Sequence, residues 1–274
     1  MKKLDFLAIG DVVIDAFIEL EDASVHCDID NANCTLSMKF ADKIPYKDVT
    51  VVNAVGNSPN AATSAARLGL TSALVASVGN DQNGKDCLET LRGNGVDTSF
   101  IQVENGVKTN YHYVLMYGAD RTILVKHEPF TCKFPALETT PSWIYLSSIA
   151  AHTESYHDEI ADYLEANPEV KLTFQPGTFQ MKLGVARLAR IYDRTEIFVC
   201  NIEEAQRILD SKEADVKVLM SEIHKFGPKI VVITDGPKGA YASDGTNAWF
   251  MPIYPDPKAP ISRTGAGDAG LTAF

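Results

Sequence analysis

No CxxC pair, no block of lysine or arginine, and no window approaching ~20 consecutive apolar residues occurs in this chain. Each absence removes a class of function. Without paired cysteines the usual zinc spacing is missing, and His26-Cys27 with Cys34 would supply only part of a metal site, since a fourth ligand does not emerge from the pattern. Without a basic block, and with a formal net charge of -11, nucleic acid and anionic membrane surfaces are poor partners. Without a long apolar run no membrane span is expected. The N-terminus, Met1-Lys2-Lys3-Leu4-Asp5, meets an acidic residue before any apolar run and does not read as a signal peptide. Internal repeats, low-complexity runs and interdomain linkers are also missing. The five cysteines (Cys27, Cys34, Cys87, Cys132, Cys200) are odd in number and scattered, which predicts free thiols in a reducing, cytoplasmic setting.

What is present is a chain of 274 residues, 45% hydrophobic, enough for one large α/β domain over 1–274 with a real core. Leu4 to Ile9, ended by Gly10-Asp11, predicts a buried strand. Residues 13–52 alternate in short stretches between polar turns, the pattern of an antiparallel flap standing outside the main sheet. Ser58 as N-cap, Pro59 at the first helical position and Gly69 as terminator predict a helix whose small residues lie close on a sheet. Strands over 71–78 and 99–103 flank a helix over 83–92. Asn110 to Met116 and Arg121 to Lys126 predict a hairpin that pairs with the flap, giving lid segments of about 13–52 and 109–126.

Beyond Pro141 strands (143–146, 171–174, 196–200, 229–233) alternate with helices (154–166, 179–192, 202–209, 216–226). Such alternation implies crossovers, hence a mostly parallel sheet with helices on both faces. Ligands of such sheets bind at the carboxyl ends of the strands.

The last stretch, Arg263-Thr264-Gly265-Ala266-Gly267-Asp268, bears most on function. Two glycines around an alanine leave backbone N–H groups free to close on an anion, and a helix starting here would add its positive end. Asp268 in its first turn would stand beside a bound phosphate, able to take a proton from an attacking hydroxyl. On these residues alone, a plain glycine-rich loop capped by Asp fits as well.

Several stretches together resemble one family. Gly56-Asn57-Ser58-Pro59-Asn60 with Ala65 to Gly69, Val78 to Gly84, and Gly95 to Thr98 resemble the N-terminal signature of ribokinase-like (phosphofructokinase B) carbohydrate kinases. Asn201-Ile202-Glu203-Glu204-Ala205, Thr234 to Ala240, and Thr264 to Asp268 resemble their C-terminal half. The resemblance implies a Rossmann-like, three-layer α/β/α core with a small β-sheet lid. It also implies ATP-dependent phosphorylation of a sugar hydroxymethyl group. Carried over by position, Asp268 is the catalytic base, and the backbone of Gly265, Ala266 and Gly267 is the anion hole. Asp15, Gly56, Asn57 and Asn60 hold the sugar, with Arg121 in the lid facing the phosphate region. Asn201 and Glu204 organise Mg²⁺ through its waters, and Thr234 and Gly236 lie along the nucleotide. The resemblance implies sugar and ATP as partners. From the lid strands themselves, pairing of their edges between two chains makes a homodimer a further expectation.

Each residue also has a plainer reading. Asp15 would serve as a solvated acid, with Asp11 as its competitor, and Asn60 as an ordinary helical residue. Asn201 and Glu204 would form a capping box, and Thr234-Asp235-Gly236 a turn. The chain departs from the family at Val55, where a glycine is usual, and at Ser262-Arg263, where Asp-Thr is usual. Gln175-Pro176-Gly177-Thr178-Phe179 lacks the Asp-x-Asn-x-Arg of fructokinase-like members. The sequence stops at Phe274, where the family continues with segments over the adenine. Two other functions therefore stay open: a nucleoside kinase of the same family, whose lid would hold a base, and a sugar-binding protein without catalysis.

Overall fold

The structure is a computed structural model that describes residues 4–28, 34–118 and 120–255. In chain order, β1 (Phe6–Ile9) is followed by β2 (Val13–Leu20), β3 (Ser24–Cys27), β4 (Cys34–Ser37) and β5 (Tyr46–Val55). Next come α1 (Asn57–Arg67), β6 (Ser72–Gly79), α2 (Gln82–Gly93), β7 (Ile101–Glu104), β8 (Asn110–Tyr117) and β9 (Asp120–Leu124). Then follow β10 (Trp143–Leu146), α3 (Glu154–Ala166), β11 (Lys171–Phe174), α4 (Thr178–Leu183), α5 (Ala189–Asp193) and β12 (Thr195–Asn201). The described chain ends with α6 (Ile202–Ile208), α7 (Val216–His224), β13 (Ile230–Thr234), β14 (Ala240–Ser243) and β15 (Ala248–Met251).

The main sheet has the order β15-β14-β13-β12-β11-β10-β1-β6-β7. Its strands from β13 to β7 pair in parallel. Alternation decides which helix each side chain meets. Leu7 and Ile9 on β1, with Ile144 and Leu146 on β10, pack towards α3, α5 and α7. Ala8, Leu74 and Tyr145 face the other way, towards α1 and α2. Both faces are thus covered, which is why these strands read as nearly continuous apolar runs. The result is a three-layer α/β/α sandwich. Ala61, Ala62 and Ala65 are buried on α1, and their small size lets that helix lie close on β1 and β6.

A second sheet, β5-β2-β8-β9, stands over the carboxyl ends of the main strands as the lid. Its outer pairs are antiparallel, as expected of a flap, but β2 and β8 run parallel. The reason lies in the connections: β2 follows β1 and β8 follows β7, two strands of one direction, so both leave the main sheet the same way. The strands β3 and β4 form a separate hairpin.

Several expectations are corrected. Cys27 and Cys34, opposite each other across β3 and β4, are joined as a disulfide, so the five cysteines are not five thiols. Cys87, Cys132 and Cys200 remain free, and the argument from thiols to a reducing compartment weakens accordingly. Ser58 does not cap α1: Gly56 is the N-cap, and the Ser58 hydroxyl donates to the Ile9 carbonyl at 2.8 Å. The helix predicted over 179–192 is two helices, broken at Gly184, whose φ of 83° ends α4. The antiparallel edge strands β14 and β15 were not anticipated, although Asp244-Gly245 between them is a hairpin signal. Among the described residues, no helix is long and apolar enough to cross a membrane.

Candidate active site

The floor of the site is laid by the ends of β1, β10 and β11. Gly10-Asp11 follows β1 and Ser147-Ser148 follows β10, and the turn Gly56-Asn57 enters α1 beside them. Gly56 adopts φ 119°, and a Cβ there would stand 3.0 Å from the Asp11 carbonyl oxygen. Only glycine fits that turn without strain. The turn is held from below. Asn57 donates its side-chain amide to the Ser147 hydroxyl at 3.0 Å. Gln180 donates to the Ser147 carbonyl at 3.0 Å and accepts the Gly177 N–H at 2.7 Å. His157 closes the set, with Nδ1 2.7 Å from the Thr153 carbonyl and Nε2 3.1 Å from the Gln180 amide nitrogen. Those contacts suit the tautomer protonated at Nδ1, and burial pushes the His157 pKa down.

The roof is the lid. Val13, Asp15 and Phe17 on β2, His112 and Val114 on β8, and Arg121 and Ile123 on β9 point inward at a period of two. With Asp11, Gly56, Asn57, Asn60, His127 and Phe179 they enclose a cavity of about 440 Å³. Asp15 and His112 are register partners, with the His112 Nδ1 3.5 Å from the Asp15 Oδ1. His127 Nδ1 stands 3.0 Å from Asp11 Oδ2. The rings of His112 and His127 meet edge to face, their centroids 5.4 Å apart. Asp11 Oδ2, Asp15 Oδ1, His112 Nε2 and His127 Nδ1 are buried without a hydrogen-bond partner. Buried polar atoms are rarely left so, and four at one cavity give its wall the donors and acceptors to hold a polar ligand.

Along the sheet, Asn201 ends β12 directly opposite Thr234 on β13. Asn201 accepts the Glu204 N–H at 2.8 Å, while the Glu204 carboxylate accepts the Asn201 N–H at 2.9 Å. The pair therefore forms a capping box, the plainer of its two readings. Burial raises the Glu204 pKa, against the opposing pull of the Asn201 N–H. Gly236, with φ 48°, opens the turn after β13.

Of the residues singled out from sequence, Asp15, Gly56, Asn57, Asn60 and Arg121 meet at one cavity. Asn201, Glu204, Thr234 and Gly236 do not line it. From β1 to β12 are three strand spacings, roughly 14 Å, so the two groups stand at separate places along the sheet. Gly265, Ala266, Gly267 and Asp268, with Ser262 and Arg263, lie outside the described residues. Sequence reasoning missed His112 and His127 and left Asp11 as a competitor of Asp15; both carboxylates line the cavity. His112 carried a signal, since it stands two residues from both Asn110 and Val114 and so shares their buried face of β8. His127 follows β9 in an irregular stretch and carried none. A second cavity, of about 480 Å³, shares Asp11 and is lined by the middle of β6 and the start of β7 with residues 132–136. Burial pushes the Cys132 thiol there up to about 11. Among the described residues no group of three or more His, Cys, Asp or Glu is placed to hold a metal ion.

A family model described as pfkB family carbohydrate kinase matches residues 26–274. Ribokinase of Bacillus subtilis is 26% identical over 254 residues, spanning 88% of this chain and 82% of that protein. Cytidine kinase of Thermococcus kodakarensis is 30% identical over 225 residues, spanning 80% of this chain and 78% of its own. Among solved structures, Arabidopsis thaliana ribokinase complexed with ribose and ATP superposes with a TM-score of 0.78 at 20% identity, covering 100% of this chain and 85% of that one.

Proposed function

This chain belongs to the pfkB family of carbohydrate kinases, and on that premise we propose that it transfers the γ-phosphoryl group of ATP to a sugar hydroxymethyl group. The observation that carries the reading is the lidded cavity, where carboxylates, amides and imidazoles converge at the carboxyl ends of β1 and β10. Asp15, Asn57 and Asn60 orient the acceptor by its hydroxyls, an ionised carboxylate accepting and the amides both donating and accepting. Arg121 offsets the charge of Asp11 and Asp15. The lid keeps water from competing with the acceptor. In this reading Asp268 takes the acceptor proton, and the backbone N–H groups of Gly265, Ala266 and Gly267 stabilise the charge that develops on the transferring group. ATP lies along Thr234 and Gly236 at the end of β13, on the far side of β12 from the acceptor floor.

A magnesium ion suits Glu204. Its carboxylate is half-buried and keeps lone pairs beyond the one that accepts the Asn201 N–H, and one carboxylate acting through water beside phosphates is a pattern this ion accepts. Bound there, the ion would neutralise phosphate charge.

The test is phosphorylation of a panel of ribose, fructose, ketodeoxygluconate and adenosine with ATP. Asp268→Asn is expected to lose about 10²- to 10⁴-fold in turnover while keeping acceptor affinity. Turnover unchanged in that variant, or no transfer to any acceptor, rejects the reading. A second reading, nucleoside phosphorylation, draws on the apolar roof of Val13, Phe17, Val114, Ile123 and Val125, which suits a base better than a free sugar does; preference for adenosine in the same panel would establish it. The edges of the lid, β5 and β9, expose Val49, Val51, Ile123 and Leu124, so a homodimer through the lid is part of the proposal, and a monomeric mass by light scattering removes it.

A further inference from the structure

We propose that His112 and His127 are specificity residues for the acceptor: each forms, with its carboxylate partner, one carboxylate–imidazole pair that reads one hydroxyl, so that together they select a vicinal diol. The inference rests on the cavity being the acceptor site.

The pairs are His112 with Asp15 at 3.5 Å and His127 with Asp11 at 3.0 Å. The second pair has both side chains only 14% exposed. Neither the His127 Nδ1 nor the Asp11 Oδ2 has a hydrogen-bond partner despite that distance, and the same holds for the Asp15 Oδ1 and the His112 Nε2. These are close approaches whose donors and acceptors are out of line. A hydroxyl group resolves both members of such a pair at once, donating its proton to the carboxylate and accepting from an imidazole N–H. A methylene in its place leaves both members unmet in a buried wall, which costs more than the absence of an attraction. Because the two rings are 5.4 Å apart and packed edge to face, the pairs address adjacent positions of one ligand. His127 also packs edge to face on Phe179 at 5.5 Å, which fixes its ring from the side of α4. Among the described residues, Arg121 is the other charged side chain lining the cavity; as a donor only, it does not substitute for either pair.

The test is calorimetric binding, without nucleotide, of D-ribose and cytidine, each compared with its 2- and 3-deoxy forms. The unsubstituted chain is expected to lose about tenfold or more in affinity for each hydroxyl removed. His112→Phe and His127→Phe keep an aromatic ring and remove its nitrogens. Each is expected to erase the discrimination at one hydroxyl and leave it intact at the other. His112→Asn and His127→Asn provide the same comparison should a phenylalanine variant not fold. Equal loss for intact and deoxy ligands, full discrimination retained in both variants, or no binding of ribose and cytidine by the unsubstituted chain each overturns the proposal. Transfer failing while the diol discrimination persists would remove the kinase reading and leave this one; transfer succeeding with indifferent histidines would do the reverse.

Discussion

The Asp81 carboxylate receives both the hydroxyl and the backbone N–H of Thr109, at 2.6 and 3.0 Å. The same carboxylate caps α2 by accepting the Gly84 N–H at 2.8 Å. One side chain thus joins a helix of the core to the residue from which the lid strand β8 departs. Burial acts to raise the Asp81 pKa, but the bonds from Thr109 and Gly84 outweigh it and leave the value depressed.

Asp81→Ala is therefore expected to cost about 1–2 kcal/mol, the scale of a lost N-cap. The sign with pH follows from the depressed value. The stabilisation from this group is present above the ordinary carboxyl range, about pH 4, and is lost as pH falls through the folded value below it. Urea unfolding of the two proteins should differ at pH 7 and converge below pH 4; a gap that persists in acid contradicts the assignment.

His157 provides a second dependence, in a different window. Burial lowers its pKa, so its contribution is whole above about pH 6.5 and declines as pH falls through the folded value. Gln180→Leu removes its hydrogen-bond partner and strands the Gly177 N–H and the Ser147 carbonyl. A loss of about 2–3 kcal/mol is expected, together with weaker acceptor binding through the released Asn57 turn. Stability within 0.5 kcal/mol of the parent, an order of magnitude typical of surface changes, would show the network to be idle.

Glu204→Gln separates cap from charge. The amide oxygen still accepts the Asn201 N–H, and the cost of burying a carboxylate disappears. Because the folded pKa is raised, the acid's contribution is full below the ordinary carboxyl value and lost as pH rises through the folded one. The variant should thus match or exceed the parent in melting temperature at pH 7 while losing about 10²-fold or more in phosphoryl transfer. A lower melting temperature with full transfer would reverse the assignment.

The cysteines give a counting experiment. Of five in the sequence, two form the Cys27–Cys34 bridge and three are free. Alkylation under denaturing conditions should modify three before reduction and five after it. Five labels without reduction would remove the bridge. Because β3 and β4 pair only with each other and are largely exposed, the Cys27→Ser, Cys34→Ser double variant should leave global unfolding within about 0.5 kcal/mol of the parent.

The parallel strands were legible because each is a short apolar run between turns; α3 and β11 coincide with their predicted spans, 154–166 and 171–174. The cavity residues Asp15, Asn57 and Asn60 were legible through motifs. What escaped had no local signature. The break at Gly184 was hidden because Met181 to Leu188 keeps a helical composition. Ser58 reads as a cap in sequence, yet the carbonyl of Ile9, brought near only by the fold, takes its hydroxyl. His112 and His127 become neighbours only when β8 and the stretch after β9 close over β1, a juxtaposition that no linear pattern carries. The bridge between Cys27 and Cys34 arises from hairpin register, which an odd count of cysteines obscured.

The parallel pairing at the centre of the lid has a mechanical consequence. Two adjacent strands rise from fixed points of the core, and β5 returns to it through Ala54 and Gly56. A flap anchored by side-by-side stalks is held against sliding and twisting at two points rather than one. A molecule spanning roof and floor would then tie the flap to the core at a third point, the Gly56 turn.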